Sequence, residues 1–91
     1  MLPEVIAVQV LSNHCLFLTF ENGEHKQFDM LPYLHYPVFQ RLRNPGFFGL
    51  ARVDYGTVTW PCEIDIAPET LYLDGVIVKQ EMPRTSITIS I

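Results

Sequence analysis

Three histidines, His14, His25 and His35, and two cysteines, Cys15 and Cys62, are the side chains best suited to ligate a metal or to carry a proton or nucleophile. No two histidines stand at the i, i+4 spacing that puts both on one helix face, so a metal site of the usual kind is not expected. The cysteines match neither a zinc knuckle nor a disulfide framework and read as reduced thiols, with Cys15 a small hydrophobe on a strand. Glu63, Asp65, Glu69 and Asp74 form an acidic stretch without the alternating oxygen ligands and internal glycine of a calcium loop. They read as a solvated rim, with Asp65 bonded to a nearby backbone amide and Glu69 facing a helix start. No glycine-flanked nucleophile and no phosphate-cradling glycine loop is present, so neither an enzyme nor a cofactor is expected. Arg41, Arg43 and Arg52, with Tyr33 or Tyr36 to stack on bases, are the only grouping suited to nucleic acid.

The elements that would position these residues follow from pattern. Val5 to Leu11 is a β-branched run, Ser12-Asn13 supplies a turn, and Cys15 to Phe20 is a second run suited to a pleated sheet. Asn22-Gly23 takes the positive φ angles of a tight turn, which returns His25 to Phe28 beside the second strand. Leu16, Leu18 and Phe20 alternate with Cys15, Phe17 and Thr19, and both sets are largely apolar, as a central strand requires. Asp29 suits a helix cap before a short turn at Met30 to Leu34, and a second helical piece from Pro37 turns Val38, Phe39 and Leu42 to one face. After Asn44-Pro45-Gly46, Phe47 to Val53 reads as strand, Asp54-Tyr55-Gly56 as a turn and Thr57 to Trp60 as the returning strand. Pro68 is placed for the first position of one helical turn that ends near Gly75. The tail from Thr85 alternates strictly, with Ile87, Ile89 and Ile91 on one side.

The expected fold is therefore α+β: a small antiparallel sheet of two hairpins, one or two short helices and a C-terminal strand. At 91 residues it should be a single domain, residues 1–91. Hydrophobic residues at 48% against 18% charged offer enough apolar material for a core. The formal charge of −4 works against counterion release on phosphates, so direct nucleic-acid contact is not favoured. No apolar run approaches the roughly 20 residues of a membrane-spanning helix, and the first residues lack the basic start of a secretory signal, which leaves the cytoplasm as the expected compartment.

Several blocks recur in fixed order: Phe20-Glu-Asn-Gly23, Phe28-Asp29-Met-Leu31 with Leu34, Phe39-Gln-Arg-Leu42-Arg-Asn-Pro45 with Phe48, and Val53-Asp54-Tyr-Gly56-Thr57-Val-Thr-Trp60-Pro61. Ile64-Asp65-Ile66-Ala-Pro68-Glu69-Thr-Leu71-Tyr72 closes the series. Together they resemble the bacterial domain of unknown function 2442 family over residues 5–72, leaving 73–91 as a tail. The block from Trp60-Pro61 to Leu71-Tyr72 is the most specific. The sequence departs from the family pattern where Cys62-Glu63 replaces an Asn-Gly-like turn, and where Ala67 replaces a commoner helix-capping residue. The resemblance implies a compact α+β fold without established enzymatic activity. It also implies company: members resemble standalone proteins or domains beside a DNA-binding helical module, and some look like antitoxin partners of small toxin-like neighbours. No helix-turn-helix pattern follows here, so the DNA reader is missing from the expectation.

The reading that results is a non-catalytic interaction domain, an antitoxin-like member of a two-protein module, whose acidic surface and C-terminal strand meet a basic protein partner or a second copy. Ile87, Ile89, Ile91, Arg41 and Arg43 are the candidate contact residues. Trp60, Pro61, Asp65, Pro68, Glu69, Leu71 and Tyr72 are expected to act structurally. The alternatives are a nucleic-acid-contacting regulator and, behind it, an enzyme or metal-binding domain.

Overall fold

The computed structural model of the protein describes residues 2–78. Strands β1 (Val5–Leu11), β2 (Cys15–Phe20) and β3 (His25–Asp29) form an antiparallel meander, and β7 (Val76–Ile77) joins its far edge in the order β1-β2-β3-β7. A second sheet holds β4 (Arg52–Asp54), β5 (Thr57–Trp60) and β6 (Ile64–Asp65) in sequence order. Between the sheets along the chain lie a 3-10 helix at Leu31–Tyr33, another at Pro37–Arg43, and α1 (Pro45–Phe48), while α2 (Pro68–Asp74) precedes β7. The fold is thus α+β, with the two expected hairpins in separate sheets rather than one. The C-terminal strand expected at 85–91, with Ile87, Ile89 and Ile91, lies outside the described residues.

Turn chemistry sets the register of the meander. Asn13 and His14 both adopt left-handed backbone, φ 61° and 58°, between the paired residues Leu11 and Cys15. At the next turn only Gly23, φ 90°, is left-handed, where the sequence suggested positive angles at both Asn22 and Gly23. The Gly23 amide donates to the Phe20 carbonyl at 2.9 Å and the Phe20 amide to the Glu24 carbonyl at 2.9 Å. This is a type I turn closed by a left-handed glycine, and Asn22 contributes instead through its side chain, which accepts from the Glu24 amide at 3.0 Å.

β2 is central, as its two apolar faces require. Leu16, Leu18 and Phe20 point into the core with Phe28 of β3, in one cluster with Val58, Trp60 and Ile64 of the second sheet and Ile66 just after it. Leu34, Phe39, Leu42, Phe48 and Leu71 close the same cluster from the helical segments. Phe17 is different: it is 0% exposed but lies on the opposite face, outside that cluster, where His25 stacks on it at 5.3 Å. The sheets are joined at the start of β1, whose Val5 amide donates to the Gly56 carbonyl at 3.0 Å in the Tyr55-Gly56 hairpin turn.

The segment from Phe47 is not a strand throughout. Asn44 caps α1, its side-chain oxygen accepting from the Gly46 amide at 2.8 Å and the Phe47 amide at 3.2 Å, with Pro45 at the first helical position. Those local bonds outcompete the aromatic run, and extended structure begins only at Arg52. Among the described residues no helix is long and apolar enough to cross a membrane.

Candidate functional site

The most specific sequence block proves to be a brace. Trp60 is buried, stacks on Phe48 at 5.8 Å and donates its indole N–H to the Phe48 carbonyl at 2.9 Å, tying β5 to the end of α1. Pro61 opens the exposed turn to β6, in which Cys62 and Glu63 both have left-handed backbone, φ 69° and 61°. Pro68 occupies the start of α2, Glu69 its exposed first turn, and Leu71 the core. Ala67 caps that helix without any side-chain hydrogen bond. Asp65 is exposed on β6, and among the described residues its side chain holds no backbone amide, contrary to the expectation for it.

Tyr72 joins α2 to the meander through Lys26, a buried lysine on β3. The Lys26 ammonium sits over the Tyr72 ring, 3.6 Å from its centroid, and donates to the Tyr72 carbonyl near the helix end, where positive charge is favoured. The Tyr72 hydroxyl donates to Glu24 at 2.6 Å. That bond, with a second from Asn22, draws the Glu24 carboxyl below its usual range, and the same carboxylate pushes the Tyr72 phenol up. Gly75 follows at the helix end, where a Cβ would stand 2.7 Å from the Leu71 carbonyl and 3.1 Å from Lys26 Cβ.

The other candidates do not converge. Arg43 donates from Nε to the Leu34 carbonyl at 3.2 Å, and Arg52 pairs with Asp54 at 3.4 Å, which leaves Arg41 exposed on its 3-10 helix. His14 lies against Phe48, His25 meets Thr19 at 3.1 Å, and His35 lies against Tyr36, each on a different part of the surface. Among the described residues His14 Nε2 is buried without a partner. Burial and then the Asp29 carboxylate push the Cys15 thiol up, against the thiolate a nucleophile needs. Among the described residues no cluster of His, Cys, Asp or Glu could hold a metal ion.

What the structure assembles instead is a groove of about 430 Å³ between β3, β7, the 3-10 helix Leu31–Tyr33 and the end of α2, lined by Gln27, Phe28, Asp29, Pro32, Tyr33, Asp74, Val76 and Val78. The Tyr33 hydroxyl donates to Asp74 Oδ2 at 2.7 Å, and this bond, reinforced by burial, pushes the phenol up to about 12. Asp29 accepts the Leu31 amide at 3.0 Å from the residue before Met30, which holds the cap position itself. Leu73 and Val76 are 67% and 68% exposed, and Ile77 47%, on the chain that forms one wall. Sequence reasoning placed Asp29 in a cap and Asp74 in an acidic rim without joining them.

Among curated proteins and among solved structures, none matches the chain. The family described as Protein of unknown function (DUF2442) matches residues 5–75, which takes in β1 to β6, the Trp60 and Tyr72 braces and α2, and stops just before β7. The chain belongs to the DUF2442 family.

Proposed function

We propose that this protein is a non-catalytic interaction domain that docks a protein partner, in the manner of the antitoxin-like member of a two-protein module. The observation that carries the reading is the groove walled by Val76 and Val78, with Val76 68% exposed, on a stretch of chain that also leaves Leu73 and Ile77 in water. Apolar side chains left in water next to a concavity are what a partner covers. The net charge of −4 supports a basic partner by steering the encounter. The tail Ile87, Ile89 and Ile91 is a second proposed contact, resting on its alternating sequence alone.

The test is co-expression with the product of the adjacent open reading frame. Stoichiometric co-purification that is lost on Val76→Asp is the expected result. A complex indifferent to Val76→Asp and to removal of residues 85–91 refutes both contacts. Mass in solution separates the homodimer version, which fails if the full-length protein is monomeric.

A further inference from the structure

We propose that the groove receives an arginine side chain carried on an apolar segment of the partner. This rests on the docking reading and names the chemistry of what docks. In the β3–β7 ladder Gln27 pairs with Val76 and Lys26 with Ile77, and the Val78 amide donates to the His25 carbonyl at 2.8 Å. Asp29 ends β3 and Asp74 ends α2, just before the chain enters that ladder, and both residues line the groove. Two carboxylates on the walls of one groove favour a cation between them.

Among the described residues nothing in the groove supplies that cation: its other lining residues are Gln27, Phe28, Pro32, Tyr33, Val76 and Val78, and the one ion pair among those described, Arg52 with Asp54, is elsewhere. Each carboxylate already has a role for one oxygen, Asp29 Oδ1 with the Leu31 amide and Asp74 Oδ2 with the Tyr33 hydroxyl. Among the described residues nothing donates to the second oxygen of either, which can accept from a ligand. A planar guanidinium can donate to two carboxylates at once and stack on an aromatic ring, which Tyr33 offers. The apolar neighbours of such an arginine find Val76, Val78 and Pro32. An ammonium fits less well because it presents a point charge rather than a fork.

The experiment uses the full chain and a fluorescein-labelled six-residue peptide with one arginine among valines, beside the same peptide with neutral citrulline in its place. Fluorescence anisotropy should show the arginine peptide binding about tenfold more tightly. Asp29→Asn and Asp74→Asn should each shrink that ratio, while circular dichroism confirms the fold. Equal binding of the two peptides, both lost on Val76→Asp, overturns the arginine assignment and leaves the docking reading standing. Failure of both peptides to bind overturns the arginine assignment, and the co-expression test then decides the docking reading separately. A ratio unchanged by both Asp→Asn variants also overturns it.

Discussion

Replacing Cys62 by Asn and Glu63 by Gly should stabilise the protein, although both native side chains are exposed and the change removes nothing from the core. The two residues sit at φ 69° and 61°, a backbone region that costs an ordinary L-residue about 1–2 kcal/mol and glycine almost nothing. Asn relieves part of that strain at position 62 and Gly all of it at 63, less about 0.5–1 kcal/mol for the greater freedom of glycine in the unfolded chain. A net gain of about 1 kcal/mol remains, which for a domain of this size raises Tm by about 4–8 °C. Urea titration should show a higher midpoint with an unchanged slope, the mark of a change in stability rather than in the surface exposed on unfolding. A Tm at or below the parent value would refute the reasoning, because it would mean that the left-handed pair is not strained.

Ala67→Asp should add about 1 kcal/mol by giving α2 the cap that it lacks, read as a rise in the urea midpoint. Trp60→Ala should cost about 3–5 kcal/mol, and Trp60→Phe only about 1–2, since phenylalanine keeps the stacking on Phe48 and loses the indole donor. Lys26→Met should cost about 1–3 kcal/mol in the same assay, through loss of the ammonium from the Tyr72 ring and carbonyl. Tyr33 has a folded pKa raised to about 12 from 10.0, so its contribution to stability is complete below pH 10 and lost as pH rises through 12. Phenolate absorbance should therefore show one tyrosine ionising last, and Tyr33→Phe should remove that step.

The meander was legible because β2 states its position twice, in apolar residues on both faces and in the Gly23 turn that follows it. Pro68 likewise announced α2, and the Trp60 to Tyr72 block announced the brace without revealing that Lys26 completes it. Phe47-Phe48 misled because an aromatic pair suits a strand, and the outcome was decided two residues earlier by Asn44 and Pro45. β6 and β7 are two residues each, too short for any period to show, and exist because neighbouring strands accept them. The groove was the least visible feature. Its defining bond joins Tyr33 to Asp74, 41 residues apart, and nothing local to either residue signals the other.

Gly75 bears on how a partner would be met. With no room for a side chain between the Leu71 carbonyl and Lys26, Gly75 lets the chain leave α2 close against β3, where pairing with Gln27 holds Val76 at the groove wall. A surface ordered in advance loses little conformational entropy when it is covered, so more of the contact energy is expressed as affinity. The same tightness makes Gly75→Ala a change in the shape of the wall, since a methyl group there would stand 2.7 Å from the Leu71 carbonyl and the backbone at the end of α2 must shift to admit it.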